Sequence, residues 1–234
     1  MVNFSLYHGT STYFLQEILT HGLGGIKISK EWGVEEFFAE VIFECSLVED
    51  LEFQRHVQNN QQMLDRILGK FHNSQGFNYR YGSVYLAVDR KRAIQYSLRE
   101  FGSELTRISN GWYLDLKSFK PDLALQLLKK YPKVSEIFSA VHKPLVIEIK
   151  EINLHEIATE GGLVGEHLNI EINKFFDLKE NFGDTLDGAI SGPCFEYIGS
   201  PLMRDRLNFY QVEPTTKAIK FDVFSTKLSL LEIK

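Results

Sequence analysis

Four side chains stand out by type and setting: His8, Tyr85, Tyr96 and Glu196. His8 lies in Leu6-Tyr7-His8-Gly9-Thr10-Ser11, where an imidazole is followed by a glycine and two hydroxyl residues. A neutral imidazole offers one donor and one acceptor. Tyr85, in Gly82-Ser83-Val84-Tyr85-Leu86-Ala87, is followed eleven positions later by Tyr96, in Ala93-Ile94-Gln95-Tyr96. Two such rings give a planar heterocycle a surface to stack on. Glu196, in Phe195-Glu196-Tyr197-Ile198, can stabilise a developing positive charge or help deprotonate an incoming nucleophile. Each residue taken alone also suits a structural role in a packed strand. Glu213, Glu166 and Glu171 are rival carboxylates.

Taken in chain order, the three segments resemble the motifs of the His-Tyr-Glu class of ADP-ribosyltransferases. That class includes the poly(ADP-ribose) polymerases and the RNA 2′-phosphotransferases. The Tyr-His-Gly-Thr-Ser string, with a short helix and His21-Gly22-Leu23 after it, is similar to the first motif. The strand, turn and helix carrying Tyr85 and Tyr96 resemble the second, and Phe195-Glu196-Tyr197-Ile198 the third. The continuation Gly199-Ser200-Pro201-Leu202 is also similar to toxin members of the family that modify DNA. Two departures are visible. The polymerase branch has a serine three positions before its second tyrosine, where this chain has Ala93. The phosphotransferase branch has arginines where this chain has Tyr85 and Tyr96. Residues 31–75 and 103–143 lie outside the resemblance.

The resemblance implies NAD⁺ as a consumed substrate, no metal, and a catalytic set of His8, Tyr85 and Glu196. It assigns His8 to the adenosine-side ribose hydroxyl, Gly9 to close backbone approach to the nicotinamide amide, and Thr10 to the neighbouring ribose. Tyr85 and Tyr96 would flank the nicotinamide ring, and Glu196 would bind the 2′-hydroxyl of the nicotinamide-side ribose and stabilise the oxocarbenium-like centre. It implies an α+β fold with a split β-sheet core of ADP-ribosyltransferase type, peripheral helices and a helical insertion at about 31–75. The activity implied is mono-ADP-ribosylation of a macromolecule, with nucleic acid slightly favoured over protein as acceptor. RNA 2′-phosphotransfer, NAD⁺ hydrolysis and an inactive NAD- or partner-binding module are the alternatives. A transferase of this size without a regulatory domain looks like a toxin or conflict effector held by an antitoxin or inhibitor protein.

Composition bounds this reading. The 234 residues suit one domain, are 44% hydrophobic, and contain no apolar run near the roughly 20 residues a membrane helix requires. The start, MVNFSLYHG, lacks the pattern of a secretory signal, and the two cysteines, Cys45 and Cys194, form no disulfide framework. A reduced, cytoplasmic protein is expected. The net charge of −5 argues against nucleic-acid coating by electrostatics alone. Charge is uneven, however: residues 31–55 hold eight acidic and one basic residue, and residues 89–133 ten basic and five acidic. These blocks read either as solvated helical faces or as an inhibitor-facing acidic segment and a basic rim, to which Arg204 and Arg206 add. No phosphate-cradling glycine loop, nucleophile elbow or zinc-ligand spacing occurs.

The elements that must position the four side chains follow from local pattern. FSLY at 4–7 reads as a strand, and 12–21 as a helix capped by Thr12, with Phe14, Leu15, Ile18 and Leu19 on one face and Gly22 ending it. Helices are expected over 33–45, 50–71 and 90–101, the last capped by Asp89, and from Pro121 to about Lys130. Residues 83–88, 144–150, 168–172, 194–199 and 218–224 read as strands, and 72–82 as a loop. Helices early and strands late suggest α+β rather than a doubly wound parallel sheet.

Overall fold

The computed structural model describes residues 5–69, 83–159, 162–182, 194–214 and 226–231. Along the chain these form β1 (Leu6–Ser11), α1 (Leu15–His21), α2 (Ile28–Glu31), α3 (Val34–Ser46) and α4 (Leu51–Ile67). Next come β2 (Val84–Ala87), α5 (Arg90–Ser97), α6 (Glu104–Phe119), α7 (Pro121–Lys130) and α8 (Pro132–Ser139). The remainder is β3 (Pro144–Ile149), β4 (Ile157–Thr159), α9 (Glu166–Phe182), β5 (Cys194–Tyr197), β6 (Leu207–Pro214) and β7 (Thr226–Leu230). Two structural units result: Met1–Ile26 with Ser83–Ser103 and Val141–Lys234, and Lys27–Gly82 with Glu104–Ala140. The stretch expected as an insertion, 31–75, lies in the second unit, which also takes the segment holding α6, α7 and α8.

The first unit contains an antiparallel sheet in the order β4-β5-β2-β1-β3-β6-β7. The α+β expectation therefore holds, and no parallel ladder occurs among the described strands. Pairing is continuous on both sides of one weak seam. β1 matches β3 at six positions, from Leu6 opposite Ile149 to Ser11 opposite Pro144, whereas β1 and β2 pair only at Tyr7 opposite Ala87. β3 was expected to bury one face, yet Leu145, Val146, Ile147 and Ile149 are all fully buried. Its central position explains this: Val146 packs with Ala93 and Ile94 of α5 and Val212 of β6.

The second unit is helical. α3 buries Val34, Phe37, Phe38, Val41, Ile42 and Cys45, the repeat of an amphipathic helix, and α4 buries Phe53, Val57 and Leu64. Asp50 caps α4 through Phe53 N, a bond of 2.8 Å that meets one orphan donor of its first turn. Phe37 packs edge-on against Tyr131 and Phe138, joining α3 to the α7–α8 corner.

Three local expectations need correction. His8 lies inside β1 rather than beyond a strand at 4–7. Ser11, not Thr12, supplies the cap, accepting from Tyr13 N, and a short 3-10 turn over Thr12–Phe14 precedes α1. Residues 168–172 are helix: Leu168 and Ile172 are buried four apart while Ile170 between them is 44% exposed, so the apparent alternation conceals a helical period. The strand expected at 218–224 and the loop at 72–82 lie outside the described residues.

Candidate active site

β2 and β5 place Tyr85 directly opposite Glu196, so their side chains share one sheet face. All four residues of β5 are buried, and Glu196 is only 8% exposed. A carboxylate there requires hydrogen-bond partners. Ser83 supplies one: its Oγ donates to Glu196 Oε1 over 2.6 Å. Sequence reading missed Ser83. The available signal was its place two residues before Tyr85, which alternation puts on the Glu196 face.

The end of β5 is pinned by a second network. Arg206 Nη1 and Nη2 each donate to Glu156 at 3.0 Å, and the Tyr197 hydroxyl lies 3.2 Å from Glu156 Oε1 and 2.5 Å from the Ser200 carbonyl. The Arg206 guanidinium holds the Glu156 carboxyl down at about 2. Ile198 N donates to the Glu156 carbonyl at 2.7 Å, so this pair fixes the chain immediately after Glu196. Arg206 is thereby committed to an internal ion pair rather than presented to an acceptor.

His8 sits at the seam. Its Nδ1 is 2.9 Å from the Tyr85 carbonyl oxygen. A carbonyl only accepts, so Nδ1 carries the proton and Nε2 of the neutral ring is an acceptor. No described residue hydrogen-bonds Nε2. Burial holds the imidazole below its ordinary value, partly opposed by the Tyr85 carbonyl, which keeps the ring neutral. His8 and Tyr85 thus bind across the gap that the β1–β2 ladder leaves.

Gly9 and Ala93 meet in the packing of α5 on β1. A Cβ on Gly9 would stand 1.9 Å from the Ala93 carbonyl oxygen, so glycine is required by the helix above the strand. This packing need stands beside the close backbone approach to a nicotinamide that the resemblance assigns to Gly9. Ala93 itself is 1% exposed and packs in the core with Val146 and Val212, so its missing hydroxyl has a packing reason. Thr10 is 4% exposed, and its Oγ1 donates to the Gly102 carbonyl at 3.4 Å. Tyr96 is half-buried on α5, with the Arg99 guanidinium 4.3 Å and that of Arg92 5.9 Å from its ring centroid.

The rival carboxylates are placed differently. Glu166 and Glu171 are exposed on α9, the latter paired with Lys174, and Glu213 is exposed on β6. A carboxylate that sequence reading passed over, Glu148 on β3, accepts from Ser5, Asn208 and Tyr210, each at 2.9 Å. Those bonds hold it below the usual carboxylate value despite burial, and tie β1, β3 and β6 together. It reads as a structural clamp.

The opposed charge blocks meet inside the second unit. Lys120 pairs with Glu44, and Lys130 with Glu40, which also accepts from Tyr131. Among the described residues no group of three or more His, Cys, Asp or Glu side chains is placed to hold a metal ion, and no helix is long and apolar enough to cross a membrane. No protein-family model, no characterised protein and no solved structure matches the chain.

Proposed function

We propose that the chain is an NAD-dependent mono-ADP-ribosyltransferase whose reaction centre is the seam between β1 and β2. The observation that carries this reading is the union of three distant segments: Tyr85 stands opposite Glu196, and the His8 ring is hydrogen-bonded to the Tyr85 backbone. The single registered pair between β1 and β2, within an otherwise continuously paired seven-stranded sheet, is in keeping with a sheet that opens at this point, as the ADP-ribosyltransferase type requires.

The side chains suit the chemistry. Neutral His8 offers Nε2 as an acceptor to a ribose hydroxyl. Tyr85, on the same face as Glu196, supplies a ring face, with Tyr96 as a second aromatic group on α5. Glu196 holds the 2′-hydroxyl of the nicotinamide-side ribose and offsets the charge that grows at the anomeric carbon. The glycosidic bond breaks with its electron pair leaving on nicotinamide, the acceptor's lone pair forms the new bond, and Glu196 helps remove the acceptor's proton. Gly9 serves by letting α5 seat on β1, and Thr10 by bracing Gly102.

The acceptor is a macromolecule. The case for nucleic acid is the clustering of Arg90, Lys91, Arg92 and Arg99 on and beside α5, a charge suited to a polyanion. Within 31–55, Glu40 and Glu44 pair internally, and the exposed Glu36, Glu49 and Glu52 are offered to an inhibitor protein of a toxin-like effector. Incubation with NAD⁺ labelled on the adenosine tests the reading. Label on nucleic acid or protein, with release by nuclease or protease naming the acceptor, supports transfer. Nicotinamide release without macromolecular label replaces transfer by hydrolysis. Absence of both overturns the enzyme reading and leaves a binding module.

A further inference from the structure

We propose that Ser83 is the positioning residue for the Glu196 carboxylate, a role that rests on the transferase reading above. Ser83 immediately precedes β2 and lies two residues before Tyr85, which continues the Tyr85 face by alternation. Glu196 is directly opposite Tyr85, which makes Ser83 its diagonal neighbour across the ladder. The 2.6 Å between Ser83 Oγ and Glu196 Oε1 falls in the range of a hydroxyl bound to an ionised carboxylate.

The chemistry of the pair gives the role. A serine hydroxyl has one proton, and here it is directed at one carboxylate oxygen. The terminal torsion of a glutamate is otherwise broad, so fixing Oε1 selects the plane in which the carboxylate stands. Glu196 is 8% exposed, and bulk water is a poor substitute for this donor. Reactions of this class lose rate steeply when a charged group is displaced by about 1 Å. Ser83 therefore acts through Glu196 and need not touch NAD⁺.

The test is steady-state nicotinamide release by the full chain over a range of NAD⁺ concentrations, with thermal melting as a check on folding. Ser83→Ala is expected to lower kcat about tenfold while leaving KM within twofold. Ser83→Thr, which keeps the hydroxyl, should stay within threefold of the parent kcat, and Ser83→Cys, similar in size but a weak donor, should resemble Ser83→Ala. In a Glu196→Gln background, Ser83→Ala should add no further loss, because both changes act on one carboxylate. Parental kcat in Ser83→Ala or Ser83→Cys, a threonine variant as slow as alanine, or fully additive losses would each overturn the proposal while the transferase reading stands. A parent protein that does not turn over NAD⁺ overturns that reading and this one with it.

Discussion

The His8 ring is held by one hydrogen bond to a backbone carbonyl, and that bond decides what its other nitrogen can do. With Nδ1–H donating to Tyr85, Nε2 can only accept while the ring is neutral. His8→Ala removes that acceptor, and the KM for NAD⁺ should rise about tenfold with kcat altered less, the value of one hydrogen bond of ordinary strength. Steady-state nicotinamide release measures the split. The pH dependence has a definite sign. Burial lowers the His8 value below 6.5, so the unfolded chain takes this proton first and the folded state loses stability as pH falls through and below 6.5. Urea unfolding at several pH values should show stability rising with pH in that window, with a smaller slope in His8→Gln. That Tyr85 and Glu196 lie on strands, and Tyr96 on the helix after Tyr85, was legible in the sequence because each sits in a short patterned string. The reasons for Gly9 and Thr10 were not: the atoms they meet, the Ala93 and Gly102 carbonyls, come from distant segments brought close only by folding.

At the scale of elements, α5 and β5 do the positioning. α5 seats on β1 through the Gly9–Ala93 contact, where backbone meets backbone and no rotamer change can relieve an added methyl. Gly9→Ala should destabilise the protein by about 3 kcal/mol, at the upper end for overpacking, and calorimetry checks it. β5 is tied down beyond Glu196 by the Glu156–Arg206 pair, whose side chains are 12% and 25% exposed. Arg206→Ala should cost about 2 kcal/mol at neutral pH, a buried-pair penalty reduced for partial solvent access. Glu156 is lowered from 4.5 to about 2, so its contribution is complete above 4.5 and fades as pH falls toward 2. The difference between parent and Arg206→Ala should shrink over that window. Elements with local signatures were readable, as the Asp89 cap of α5 and Pro121 at the start of α7 show. α9 was misread because five residues of alternation mimic a strand, and β6 was passed over because its identity depends on pairing with β3 and β7.

At the scale of the whole chain, the sequence carries its charge in blocks, and the structure uses part of that separation internally. Glu40–Lys130 and Glu44–Lys120 join the acidic and basic segments within the second unit, a pairing that no count along the sequence reveals. The same logic explains why 31–75 read as a separate insertion: its partners, α6, α7 and α8, enter from residues after the first unit has resumed. The first unit assembles the sheet from both ends of the chain, which places His8, Tyr85 and Glu196 on the neighbouring strands β1, β2 and β5. The central claim is that the β1–β2 seam cleaves NAD⁺ with Glu196 as its carboxylate. Nicotinamide release by the parent protein and by Glu196→Gln, measured side by side at saturating NAD⁺ on samples with matched thermal melting, tests it most directly. The account predicts turnover by the parent and a loss of roughly 10²–10³ in the variant. Equal turnover by the two proteins, or none by the parent, would contradict it.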